Sequence, residues 1–336
     1  MRALHRYSDP RPLPSRMRFL VILPAALTGS AAWWYWFRAR VLSAPSLTSA
    51  PRMGVIATPN GVRQYQAVVP HGLRPGAPIV VVLHGSRSSA AQMREQTGFE
   101  FERLAEHDGF IVVYPEGYGG YWNDCRMKGD WAAKRLDIDD VSFLRLMVQR
   151  LRDEHAAGPA FFVGFSNGGH MCFRMAFEAP DLVDGMAVLA ANLPMAESMR
   201  ASVSLRPVSA MLISGTSDPI NPYGGGKVTI FGFGDRGFVH SAPESVAMLA
   251  SLLGADVRPG ERESVVPKSP RRRTWVERQD WRAHAGDVAF VTVHQGGHAV
   301  PQPGYRFPRI LGPTEDRFNA PAACWTFFQR VIGRRG

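Results

Sequence analysis

Ten residues constrain this 336-residue chain more than any other stretch: Phe161-Phe162-Val163-Gly164-Phe165-Ser166-Asn167-Gly168-Gly169-His170. An apolar, β-favouring run passes into a helical pattern through a GxSxG sequence, the strand-to-helix context that gives that motif meaning. A serine at such a turn sits on strained backbone. Its neighbours two before and two after need almost no side-chain volume, and Gly164 and Gly168 meet that demand. A helix start at this point also aims backbone N–H groups at any negative charge developing beside the hydroxyl. Ser166 is therefore a candidate nucleophile.

The remainder of the chain fits the same architecture. From about residue 55, short β-rich runs alternate with amphipathic helical stretches, the pattern of an α/β fold on a mainly parallel sheet with helices on both faces. Alternation over 62–69 predicts an antiparallel leading strand, and the continuous apolar run 79–83 predicts a strand covered on both faces. Further strands are predicted at 110–114, 160–165, 186–190, 211–214 and 288–293. Helices are predicted at 90–107, 168–178 and 322–332. Another is expected at 140–155, where Val141, Leu144, Val148 and Leu151 recur at spacings of three and four.

A serine hydroxyl needs a base, and the base needs a carboxylate to orient it. In this strand order the partners follow as Ser, then Asp or Glu, then His. The run Met211-Leu212-Ile213-Ser214-Gly215-Thr216-Ser217-Asp218 presents Asp218 beyond one strand, and Phe290-Val291-Thr292-Val293-His294-Gln295-Gly296-Gly297-His298 carries His298 on a Gly-rich loop beyond another. Both are expected on the sheet edge that holds Ser166, where ligands of open parallel sheets bind. His294 is the rival base, and Asp235 and Asp287 are weaker rivals because neither ends a strand in the expected order. The oxyanion donors are expected to be the N–H of Asn167 and that of Ser86, or of Gly85, in the loop after 79–83. His84 is expected to shape that loop by hydrogen bonding.

Charge is unevenly distributed. Of the formal net charge of +10, residues 1–52 supply +7, with eight arginines against Asp9 alone, which leaves a near-balanced body. That is a basic leader and not the basic stripe that nucleic-acid binding requires. Residues 19–37, FLVILPAALTGSAAWWYWF, carry no charge and could span most of a hydrocarbon core of about 30 Å. They read either as a membrane anchor or as a cleaved signal sequence, with 1–18 as a basic cytoplasmic N-terminus, 38–54 as a linker and 55–336 as the catalytic domain. Both readings export the body. Lys268 with Arg271, Arg272 and Arg273 is expected in a solvated loop.

Three cysteines are too few for a disulfide framework, although Cys125 and Cys324 could form one bond in an oxidising compartment. Cys172 is expected as a small buried residue within the helix after Ser166. Asp139 and Asp140 are read as a helix cap and a structural hydrogen-bond partner. No metal or organic cofactor is implied.

Seven segments in order carry a resemblance: Leu83-His84-Gly85, Tyr114-Pro115-Glu116-Gly117, Trp122-Asn123-Asp124, the run DDVSFL at 139–144, GFSNGG at 164–169, GTSDPINPYGGG at 215–226, and Gly296-Gly297-His298. The chain resembles the secreted polyhydroxybutyrate depolymerase, LpqC and feruloyl esterase family of α/β-hydrolases from about residue 62 to its end. The resemblance implies a serine esterase with Ser166, Asp218 and His298 as its triad, acting on small or oligomeric esters such as polyhydroxyalkanoate oligomers, hydroxycinnamoyl esters or acetylated sugars. A departure follows His298: Ala299-Val300-Pro301-Gln302 stands where a Trp-Pro-Gly-like sequence is usual. Trp122, Asn123 and Trp131, with Tyr223 and the glycine loop after it, are expected to border the substrate. The alternatives are a serine peptidase or acyltransferase of the same fold, and a surface binding protein without turnover.

Overall fold

The computed structural model describes residues 34–41, 45–200 and 206–334. Ten strands form one sheet: β1 (Arg52–Thr58), β2 (Gly61–Val68), β3 (Ile79–Leu83), β4 (Ile111–Pro115), β5 (Ala160–Phe165), β6 (Gly185–Leu189), β7 (Ala210–Gly215), β8 (Glu263–Val266), β9 (Trp275–Ala283) and β10 (Gly286–His294). Their order is β8-β9-β10-β7-β6-β5-β3-β4-β2-β1. The six strands from β4 to β10 in that order run parallel, and the antiparallel pairs lie at the two edges. Helices α1 (Ala90–Gln96), α2 (Glu100–Asp108), α3 (Ala132–Arg135), α4 (Asp140–His155), α5 (Asn167–Glu178) and α6 (Ala242–Ser251) lie between the strands, and α7 (Ala320–Gly333) follows the last of them.

The central strands are apolar on both faces because each face is covered. In β3, Ile79, Val81 and Leu83 join the core packed under α4, α5 and α6, while Val80 and Val82 point to the core under α1, α2 and α7. Phe161 on β5 stacks on Phe328 of α7 with centroids 4.6 Å apart. This two-sided burial is what a near-continuous apolar run at the centre of a parallel sheet records.

Several expectations are corrected by tertiary context. The stretch 90–107 is two helices, broken where Gly98 and Phe99 take φ of 64° and 56°. Gly98 there lies against Gln302 and Gly304, so the break seats a distant segment. Cys125 and Cys324 are free, as is Cys172, and all three are buried. Cys125 belongs to the core on one face of the sheet and Cys324 to the core on the other, so the sheet separates them. Part of the expected linker is structured: β1 begins at Arg52, Arg40–Val41 pairs with Tyr305–Arg306, and the N–H groups of Thr48 and Ser49 donate to Glu106. Residues 19–33 of the apolar run lie outside the described residues. Among those described, no helix is long and apolar enough to cross a membrane.

Asp139 caps α4, accepting from the Ser142 N–H at 2.9 Å. Asp140 is buried and accepts from Arg63 and from the Asn123 N–H, both at 2.7 Å. Lys268, Arg271, Arg272 and Arg273 are exposed on a turn between β8 and β9. Arg272 lies 3.5 Å from Asp316, and Arg273 bonds Gln295.

Candidate active site

Ser166 follows the last residue of β5 and precedes the first of α5. Its φ of 55° and ψ of −114° lie outside the regions open to an unstrained L-residue. Neighbours impose that conformation. The Ser166 N–H donates to Leu189 O at 2.8 Å on β6, and its carbonyl accepts from the His170 N–H at 3.1 Å. A Cβ added at Gly164 would lie 2.2 Å from Gly168 O, and one at Gly168 would lie 2.3 Å from Leu83 O and 2.6 Å from His84 O. Backbone alone fits at both positions, so the turn is clamped directly onto the end of β3.

Parallel strands ending on one edge bring the other two residues near. His298, in the loop after β10, directs Nδ1 at Asp218 Oδ2 across 2.7 Å, and both side chains are almost wholly buried. The second carboxylate oxygen, Asp218 Oδ1, accepts from the N–H groups of Ile220 and Asn221 at 2.8 Å each. A carboxylate held in this way accepts, so the Nδ1 of His298 carries the proton of this contact, and in the neutral tautomer Nε2 is the nitrogen with the lone pair. Among the described residues no hydrogen bond joins Ser166 to His298, but both line one cavity of about 230 Å³. His294 points elsewhere: it bonds Glu277 at 2.9 Å and stacks on Trp275. Asp287 pairs with Arg334, and Asp235 is exposed.

The loop after β3 is braced from beneath. His84 Nε2 accepts from the Gly117 N–H at 2.9 Å, so its Nδ1 is the protonated nitrogen that donates to Gly85 O at 2.7 Å. Burial pushes the imidazole down to about 4, which keeps it neutral at ordinary pH. Trp122 donates its indole N–H to His84 O at 2.9 Å. Asn167 has its side chain tied to the backbone of Trp122 and to Asp124. The backbone N–H groups of Asn167 and Ser86 donate to no other group among the described residues. Burial, reinforced by Arg126, likewise holds His170 near 3; its Nδ1 donates to Ser166 O at 3.1 Å.

The residues expected to border substrate are placed differently from the strand-end groups. Trp122 and Asn123 are fully buried, and Asn123 spends its side chain on Asp137 and Ile138 O. Trp131 donates its indole N–H to Trp122 O, and Tyr223 bonds Thr292 and stacks on Phe290. None of the four lines the cavity; they brace the loops around it. The wall is built by Ile220, Val228, Ile230, Phe307 and Leu311, with Arg87 and Arg236 opposite in chemistry. Apart from Ile220, which lies within the run 215–226, no motif marks these residues. The glycine-rich run at 232–237, with Gly232, Gly234 and Gly237 all at positive φ, was the one available sign of an ordered excursion beside the site.

No family model matches the chain. It is 29% identical over 288 residues to NocK of Nocardia uniformis subsp. tsuyamanensis, a protein named as an esterase, across 82% of this chain and 81% of that one. It is also 29% identical over 158 residues to poly(3-hydroxyalkanoate) depolymerase C of Paucimonas lemoignei, covering 44% of this chain and 36% of that protein. Feruloyl esterase B of Thermothelomyces thermophilus matches at 28% over 138 residues, 39% of this chain and 44% of its own length. Among solved structures, acetyl xylan esterase from Aspergillus awamori superposes with a TM-score of 0.51 at 17% identity, over 74% of this chain and 95% of that one, a likeness of fold. With a parallel sheet of matching architecture and a GxSxG turn at its edge, the chain is similar in sequence to proteins named as esterases and depolymerases, and it shares the α/β-hydrolase-like fold.

Proposed function

We propose that the protein is a carboxylic-ester hydrolase working through an acyl-enzyme on Ser166, with His298 as base and Asp218 as its orienting carboxylate. One observation carries the reading: a serine forced into positive φ at a strand-to-helix turn opens into the same cavity as an imidazole whose far nitrogen is held by a buried carboxylate. Rotation of the Ser166 side chain toward Nε2 of His298 supplies the contact for proton transfer, a geometry that often tightens only when substrate is bound. As Ser166 attacks the ester carbonyl, His298 takes its proton, and the unengaged N–H groups of Asn167 and Ser86 receive the oxyanion. His298 then protonates the departing alcohol. Water repeats the sequence to release the acid.

The relatives' names support substrates among polyhydroxyalkanoate oligomers, hydroxycinnamoyl esters and acetylated sugars. The basic leader and the uncharged run 19–37 support export of the folded body, with that run as anchor or signal. The chemistry is tested with a short p-nitrophenyl ester: Ser166→Ala is expected to lower kcat by about 10³-fold or more and to abolish labelling by a fluorophosphonate. Undiminished turnover in that variant rejects the assignment.

A further inference from the structure

The cavity beside Ser166 has two unlike walls. Ile220, Val228, Ile230, Phe307 and Leu311 make one apolar, while Arg87, Arg126 and Arg236 approach from the side of Ser86. No aspartate or glutamate is among the residues lining it. Arg126 is spoken for: its guanidinium lies against Asp124, whose carboxylate also receives Asn167 and lies 3.4 Å from Lys134. Burial opposes ionisation of Asp124, but Arg126 and Lys134 outweigh it and hold the carboxyl well below the usual range. Among the described residues that carboxylate makes its ion pairs with Arg126 and Lys134, and acts on Arg236 only from beyond ion-pair distance.

Neither Arg236 nor Arg87 makes an ion pair among the described residues. Arg236 is half-buried, donates to Ser86 Oγ at 3.2 Å and lies 5.2 Å over the Trp131 ring. Arg87 donates Nε to Tyr121 OH at 2.9 Å and occupies positive φ, at 54°. The acid adjoining Arg236 in the chain, Asp235, faces Lys227 and the Gly237 N–H instead. Burial and the charge of Arg126 together lower the Arg236 guanidinium. A cation withdrawn from water without a counter-ion is costly, and a guanidinium presents donors in a planar fork that matches a carboxylate.

We propose that this cavity selects esters that also carry a free carboxylate, which Arg236, assisted by Arg87, holds while the scissile carbonyl lies at Ser166. The inference rests on the hydrolase reading above and names its substrate class. The apolar wall then covers the carbon chain between the two functional groups. The neighbouring Ser86 places the anion-holding guanidinium beside the proposed oxyanion donor, so the charge of the substrate also fixes where its ester sits.

The test compares mono-4-nitrophenyl adipate with 4-nitrophenyl hexanoate, equal in length and different in charge, with the enzyme-free rate subtracted. The wild-type protein is expected to favour the anionic ester in kcat/KM by about tenfold or more, and Arg236→Gln to erase that preference, mainly through KM. Arg87→Gln is expected to reduce it by less. A wild-type preference for the neutral ester, or an anionic preference unchanged in both variants, overturns the proposal. Calorimetry on Ser166→Ala separates the two readings, since it needs no turnover. Tighter binding of monomethyl adipate than of methyl hexanoate, lost on adding Arg236→Gln, supports the carboxylate site even if neither nitrophenyl ester is cleaved. Equal binding of the two overturns it even if both are.

Discussion

On one side of the cavity, Ser166 directly follows β5, while Asp218 and His298 stand three and four residues beyond β7 and β10. On the other, Val228, Ile230 and Arg236 come from an excursion between the short pair Gly226–Lys227 and Phe238–Val239, and Phe307 and Leu311 come from the segment before α7. The first side is fixed by the sheet, because parallel strands in register deliver their ends to one edge. The second is held by a few contacts, among them Met195 N–H to Phe238 O and His240 N–H to Leu193 O, both at 2.9 Å. Two degrees of constraint thus meet at one site: a side fixed by strand register and, on the proposed reading, a recognition side built from loops.

Breaking the constrained side gives the largest effects. Asp218→Asn preserves the bond length to His298 but offers an amide that favours the wrong imidazole tautomer. On the proposed reading, kcat on a neutral ester falls by about 10³- to 10⁴-fold with KM little changed. A loss below tenfold in steady-state assays would remove Asp218 from its role.

Acid strikes the same side through its buried imidazoles. His84 and His170 are held near 4 and 3 against an ordinary value of 6.5, so the unfolded chain binds protons that the native state refuses. The stability they contribute is complete above about pH 6.5 and is lost as pH falls toward 4 for His84 and toward 3 for His170. Between pH 7 and 5 the loss is on the order of 2 kcal/mol for each ring. Burial raises Glu102 and Asp140, which act in the opposite sense, so the comparison is between wild type and His170→Gln. Urea unfolding at the two pH values should show a shallower pH dependence in the variant, and parallel curves would refute the assignment.

A smaller structural loss is expected from Gly168→Ala, because the new methyl would overlap two carbonyl oxygens of the β3 end. About 1–3 kcal/mol of stability should disappear in thermal unfolding. Activity should fall further than stability alone explains, since the displaced carbonyls belong to the loop of Ser86.

The recognition side should respond least. Ile230→Ala removes part of the apolar wall and should cost about 1–3 kcal/mol in kcat/KM for a medium-chain ester, with little change for an acetyl ester. If the acetyl ester suffers equally, Ile230 supports the fold of the site and does not contact the chain of the substrate.

Legibility followed the same division. The apolar runs of β3, β5 and β7 and the 3.6-residue pattern of α4 named their elements to within a residue, because central strands and amphipathic helices write their burial into local periodicity. β9 escaped because Trp275–Ala283 mixes half-buried polar residues on an antiparallel edge, and α6 because its pattern is short. The break between α1 and α2 escaped because packing against Gln302 and Gly304, far along the chain, sets it.

By itself the sequence determined the parallel sheet, the turn at Ser166 and the candidacy of Asp218 and His298, since each depends on steric rules acting within a few residues. Only the tertiary structure decided that Trp122 and Asn123 are internal braces, that Cys125 and Cys324 lie across a sheet from each other, and that two arginines with no carboxylate partner among the described residues face the cavity. Those outcomes depend on which distant segments share a space, and a charge or an aromatic ring carries no local mark of its neighbours.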